Sequence, residues 1–154
     1  MYKDGYSYHN SDTSSDKVRR ETEKIYDKFT DKTTYRGPYL TNMGVGYTVL
    51  VDIKNGERKY RVSATTGLQN QWIRLSKAYV LGWKQPIELL PVDVDANCGS
   101  YTCYQNETVV FTLSDSQFKE GLENGLEISL QGIANKEFEI RKGYFEGIVA
   151  AVAG

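Results

Sequence analysis

The sequence predicts a mainly-β fold, an antiparallel β-sandwich carrying two or three short helices, one of them at the C-terminus. Three observations carry this expectation. Apolar and polar residues alternate through several short runs, as they do in strands that bury one face. Turn-forming pairs such as Asn55-Gly56 and Asn124-Gly125 separate many of these runs. Helical patterns do not recur between the runs, as a doubly wound α/β chain would require.

Taken in order, residues 1–24 read as a polar leader, mobile or in part a short helix. Ser14 or Ser15 can cap a helix over 17–26 with Val18, Thr22 and Ile25 along one side. Residues 25–154 read as the single sandwich domain. Its first run, 26–36, is polar, stops at Gly37-Pro38 and suits an edge strand. The clearest strand is 46–54, where Tyr47, Val49, Val51 and Ile53 alternate with polar neighbours. Asn55-Gly56 accepts the positive φ angles of a tight hairpin turn, so 58–66 folds back with Tyr60, Val62 and Ala64 inward. A second turn is expected near Gly67, followed by runs at 72–81 and 87–94. Pro86 and Pro91 bracket the latter and restrict it to a bent or edge strand.

Residues 108–113 alternate again, with Val109, Phe111 and Leu113 on one side. Ser114 followed by Gln117 matches a capping box, which starts a helix over 115–123 that Asn124-Gly125 ends in a left-handed conformation. Leu126, Ile128 and Leu130, then Phe138 and Ile140 after a turn at Asn135-Lys136, predict a second hairpin. Tyr144, Phe145, Ile148, Val149 and Val152 are spaced along one face of a closing helix. The tally is about seven strands.

Size and charge narrow the function classes. A chain of 154 residues, 40% hydrophobic and 25% charged, suits one folded domain. Nineteen basic and twenty acidic residues leave a net charge of −1, which supplies no global field for nucleic acid or an anionic membrane. The longest nearly apolar run, 147–154, falls far short of the ~20 residues of a spanning helix. The N-terminal residues lack the apolar stretch of a secretory signal, which fits either a cytoplasmic protein or a mature fragment.

The chemistry-bearing residues are few. The single histidine, His9, lies in the polar leader, which disfavours a Ser-His-Asp hydrolase and any thiol nucleophile built from Cys98 or Cys103 with His9 as base. Cys98 and Cys103 instead predict a disulfide: four residues separate them, Gly99 and Ser100 give the loop freedom, and the flanking runs can pair as strands. The bond points to an oxidising compartment, because a cytosolic protein keeps such thiols reduced. Asp93, Asp95 and Asn97 resemble the opening of a calcium loop, but Cys98 replaces the turn glycine and Tyr104 the closing glutamate, so a solvated turn is the plainer reading. Gly44-Val45-Gly46 is too short to cradle a phosphate. No cofactor is implied.

Twelve Tyr, two Trp and five Phe supply core and interface material. Trp72, Trp83, Tyr101 and Tyr104 sit next to turns or the cysteine loop and form the candidate binding surface. Three functions follow as expectations. The first is a non-enzymatic envelope-associated domain that binds a protein or glycan partner. The second is an assembly module pairing through the edge strand 27–36, and the third a hydrolase using Asp93, Asp95 or Glu107 as acid or base.

The stretches Tyr26-Asp27-Lys28-Phe29-Thr30-Asp31-Lys32-Thr33-Thr34 and Cys98-Gly99-Ser100-Tyr101-Thr102-Cys103-Tyr104, with 125–152, resemble uncharacterised small envelope proteins of Gram-negative bacteria, many of them lipoprotein-like. The resemblance spans roughly residues 25–153. It implies a periplasmic or envelope-anchored domain and no known activity. The sequence shows neither a lipobox cysteine nor a signal peptide, both of which would be missing from a chain trimmed to the mature domain, and a lipid anchor on the native N-terminus fits the resemblance.

Overall fold

A computed structural model describes residues 13–154. His9 and the first half of the polar leader lie outside the described residues. The chain runs α1 (Ser15–Glu21), β1 (Glu23–Asp27), β2 (Lys32–Arg36), β3 (Leu40–Asn42), β4 (Val45–Lys54), β5 (Glu57–Gln69), β6 (Lys77–Val80) and β7 (Ile87–Glu88). It continues through β8 (Leu90–Cys98), β9 (Cys103–Leu113), α2 (Asp115–Asn124), β10 (Leu126–Gln131), β11 (Asn135–Ile140) and α3 (Lys142–Ala153). Two antiparallel sheets result. The larger has seven strands in the order β1-β2-β4-β5-β9-β8, with β3 beside the start of β4; the smaller is β11-β10-β6-β7. The fold is mainly β and sandwich-like, with three helices, one closing the chain.

Period two decides which face of the larger sheet is dry. Tyr47, Val49 and Val51 of β4, Val62 and Ala64 of β5, and Val109, Phe111 and Leu113 of β9 are buried, and the register places Val49 beside Val62 and Val62 beside Phe111. Leu126, Ile128, Leu130 and Phe138 of the smaller sheet are buried in the same core. Tyr60 is half-buried and stacks on Phe118 of α2 with ring centroids 3.9 Å apart. Each fully buried aliphatic or aromatic side chain contributes about 1.5–3 kcal/mol, so these alternating runs supply the main stabilising term.

The helices complete that layer. The Ser114–Gln117 capping box forms as expected: the serine hydroxyl accepts from the Gln117 amide at 3.1 Å, and the glutamine carbonyl accepts from the Ser114 amide at 2.9 Å. α1 lies against α3 at Gly147, where a Cβ would stand 2.6 Å from that of Val18, so only glycine lets the two helices approach so closely. Tyr144 on α3 repairs a break in the sheet. Gly37-Pro38-Tyr39 separates β2 from β3 and leaves the Val49 amide without a strand partner; the Tyr144 hydroxyl accepts from that amide at 3.0 Å and donates to the Pro38 carbonyl at 2.8 Å. On the outer face Asp52 accepts a two-pronged hydrogen bond from Arg61, at 2.5 and 2.9 Å, and another from Thr34 at 2.7 Å, tying β2, β4 and β5. Burial pushes the Asp52 carboxyl up, but these donors outweigh it and hold the group below its ordinary range.

Several boundaries differ from the sequence reading. The helix over 17–26 ends at Glu21; Val18 is buried, but Ile25 is 41% exposed on β1, because one apolar residue per turn cannot hold a helix against the sheet. The single run 26–36 is a hairpin, β1 and β2, turning where Asp27 accepts from the Phe29 amide and Asp31 takes φ 53°. No turn occurs at Gly67. β5 runs on to Gln69, and Gly67 is there because a Cβ would strike the Gln105 carbonyl of β9; the turn falls at Asn70, φ 60°. The run 72–81 is a strand only from Lys77, and the second hairpin turns at 132–134 rather than Asn135-Lys136. Gly125 ends α2 with φ 76° and ψ 173°, a positive-φ glycine conformation outside the left-handed helical region. Against about seven expected strands, the described residues form eleven, since short and exposed strands lack alternation.

Candidate functional site

The cysteine pair is the best starting point, because it fixes one end of an exposed strand. Cys98 and Cys103 are disulfide-bonded, with their Cα atoms 3.9 Å apart, and sit opposite each other at the end of the β8–β9 hairpin. Cys103 turns its backbone away from Cys98: its carbonyl accepts from the Asn70 amide at 2.6 Å and its amide donates to the Asn70 side chain at 2.8 Å. The next pair outward, Gly99 and Thr102, is hydrogen-bonded at 2.7 Å. Antiparallel ladders alternate bonded and non-bonded pairs. Cys98, Ala96 and Val94 therefore direct their backbone amides and carbonyls away from β9, toward the open edge of the larger sheet.

Among the described residues no strand or helix covers that edge. All nine residues of β8 are exposed, including Leu90, Val92 and Val94 at 64%, 52% and 62%. The register slips between Pro91 and Asp93, and the resulting bulge bends the first third of the strand. Beyond it the strand is regular from Asp93 to Cys98. Asp93, Asp95 and Asn97 pair with Thr108, Asn106 and Tyr104 and share the outer face with them. Val94 and Ala96 face the other side.

The sequence-derived site residues distribute unevenly around this edge. Tyr101 is 96% exposed at the hairpin tip, and Tyr104 is partly exposed on the outer face, its hydroxyl donating to the Gly67 carbonyl at 3.0 Å. Trp72 is half-buried in the segment after β5. Trp83 belongs elsewhere: it lines a cleft of about 460 Å³ on the smaller sheet with Tyr79, Leu81 and Glu127. The four aromatic residues thus do not form one surface. The calcium-loop reading of Asp93, Asp95 and Asn97 meets an extended strand instead of a loop, which spaces alternate residues about 7 Å apart. Among the described residues no three acidic, histidine or cysteine side chains are grouped as metal ligands.

Glu107 has a role that its place in the sequence does not reveal. It is buried, pairs with Val94 and projects from the face opposite Asp93 and Asp95, so the sheet stands between it and those two carboxylates. Its own carboxylate accepts three backbone hydrogen bonds, from Ile73 at 2.6 Å, Arg74 at 2.9 Å and Leu75 at 2.9 Å. The same segment is held from its other side by the smaller sheet, where Ile133 donates to the Ile73 carbonyl at 2.8 Å and Ser76 donates to that of Gln131 at 2.9 Å. Residues 73–76 are a strap between the sheets, and Glu107 is its clasp. All the acceptor capacity used there goes to main-chain donors that would otherwise be buried and unpaired.

Opening the disulfide is expected to cost about 2 kcal/mol, the chain-entropy value for so small a ring. Urea titration of Cys98→Ser/Cys103→Ser against the oxidised parent measures it. The variant keeps its fold, because the β8–β9 ladder and the Asn70 contacts do not depend on the sulfurs. A loss above about 4 kcal/mol would show that the hairpin depends on the bond far more than ring closure explains.

No helix among the described residues is long and apolar enough to cross a membrane. Comparison with known proteins gives no matching family model, curated protein or solved structure.

Proposed function

We propose that this chain is a non-enzymatic binding domain of an oxidising, envelope-type compartment that takes up an extended segment of a partner protein as an added strand along β8. The observation that carries the reading is the edge at 94–98, with backbone groups directed outward at Val94, Ala96 and Cys98 and no covering element among the described residues. The disulfide at its end supports an oxidising compartment and stiffens the template, so less ordering is needed when a partner docks. The resemblance to envelope proteins points the same way. A protein partner suits the geometry better than a glycan, since Trp83 lies on the other sheet and no aromatic platform spans the four candidate residues. Asp93 and Asp95 act in partner choice here and not in hydrolysis, being separated by the sheet from Glu107.

A second reading concerns the opposite edge. The larger sheet also ends at β1, all five residues of which are exposed, with Ile25 at 41% and Tyr26 at 58%. An assembly contact through this side would use β1 and not 27–36, because β2 is already covered on both flanks by β1 and β4.

A photo-reactive benzoylphenylalanine at Ala96, compared with one at exposed Lys119 on α2, tests the first reading in cells of the native host. A discrete adduct at Ala96 is expected, and it should disappear when Val94→Pro is added. Proline at that position removes only an outward amide and leaves the β9 ladder intact. The same adducts from Lys119, or none from Ala96, would overturn the proposal.

A further inference from the structure

Resting on the strand-addition reading, we infer that the strand taken up by β8 comes from a partner protein and alternates basic with apolar residues. The chemistry follows from what each face of the edge presents. On the outer face Asp93 and Asp95 are exposed, and their cross-strand neighbours Thr108 and Asn106 are uncharged. Neither aspartate forms an ion pair among the described residues. On the inner face Val94 is 62% exposed and Ala96 is small and exposed. A strand laid along this edge places every second side chain directly opposite Asp93 and Asp95, within the distance at which cross-strand pairs interact. Lysine or arginine there meets two carboxylates, and the intervening residues cover Val94 and lie over Ala96. Like charges at those positions oppose each other, so the two aspartates reject acidic strands as firmly as they accept basic ones.

The same logic disfavours a second copy of this chain as the occupant. In an antiparallel β8–β8 pair centred on Val94, Asp93 of one copy stands opposite Asp95 of the other. Centring on either aspartate sets that residue against itself, whereas centring on Ala96 sets Asp95 against Asn97 and leaves both aspartates without a cation. Pro91 and the bulge beside it restrict pairing toward the other end of the strand. The edge therefore favours a partner of opposite charge, which pairs both aspartates, over a second copy, which in every register pairs neither with a cation. That preference needs both features: the bulge limits the template to 94–98, and the aspartates set the sign.

The test uses the oxidised full chain and two synthetic eight-residue peptides, one alternating Lys with Val and one alternating Glu with Val, both capped at their ends. Fluorescence anisotropy reads affinity, and hydrogen exchange of the Val94, Ala96 and Cys98 amides reads location. The Lys-Val peptide is expected to bind at least tenfold more tightly than the Glu-Val peptide, to weaken as salt is raised, and to protect those three amides. Asp93→Lys/Asp95→Lys should reverse the preference, and Val94→Pro should abolish protection by either peptide. If the Glu-Val peptide binds the parent as well as or better than the Lys-Val peptide while protecting the same amides, the charge inference is wrong and strand addition stands. If the Lys-Val peptide binds without protecting them, or if neither peptide protects them, the β8 edge is not the site and both readings fall.

Discussion

Glu107→Ala is expected to destabilise the fold by about 4 kcal/mol, since it leaves three strap amides without their acceptor and each orphaned buried donor costs roughly 1–3 kcal/mol. The three hydrogen bonds run from Ile73, Arg74 and Leu75 to one carboxylate, and Ile73 and Leu75 are themselves buried. Solvation therefore does not recover the loss at the buried Ile73 and Leu75 amides, although it does so in part at the Arg74 amide, which is only part-buried. Glu107→Gln keeps one carbonyl acceptor and should fall between the parent and the alanine variant. Urea unfolding followed by tryptophan fluorescence measures both, with Trp72 adjoining the strap as a local probe. An alanine variant within about 1 kcal/mol of the parent would mean that the strap is held from the smaller sheet alone.

Val51→Asp should be at least as severe, with an expected loss of about 4 kcal/mol or more, because an unpaired carboxylate replaces a side chain that is 1% exposed. Val51 lies on β4 between Tyr35 of β2 and Tyr60 of β5, with no cation facing it across either pair. Burial would force the introduced carboxyl to protonate or the strand to leave the core. Loss of the cooperative thermal transition in circular dichroism at neutral pH is the expected result. A variant that melts within a few degrees of the parent would mean that the inward face of β4 had been assigned to the wrong parity.

These two residues also show what the sequence makes legible. Val51 could be placed in the core from its neighbours alone, because a strand with one dry face writes that fact into every second position. The same holds for Val62, Phe111, Ile128 and Phe138, all buried as the spacing predicts. Ser114 with Gln117, and Cys98 with Cys103, were legible for a related reason: both partners of each contact are close in the chain. Glu107 was not. Its partners lie 32 to 34 residues away and are backbone amides, which leave no trace in residue type. β1 and the second half of β8, beyond the expected run 87–94, escaped for a different reason, since their residues are exposed and alternation has nothing to report. The edge position of β8 was legible in Pro86 and Pro91, which restrict that run to a bent or edge strand, but the direction of its outward backbone groups depends on strand order, a property of the whole sheet. That is also why Trp83, chosen for its place beside a turn, proved to belong to the other sheet.

The strap has a consequence for how the molecule comes apart. Because residues 73–76 are bonded to Glu107 on one side and to Ile133 and Gln131 on the other, neither sheet can peel off alone without stranding main-chain donors or carbonyls in an apolar interior. The two layers therefore share one fate: they melt as a unit, and partial opening is confined to parts outside the strap, among them the exposed strands at the sheet margins. Slow amide exchange should extend across β5, β9 and β10 at a common rate, while β8 exchanges by its own faster, local route. Opening of β8 would then leave the interior in its single cooperative state, so the margin of the larger sheet can fray and re-form without risking the fold.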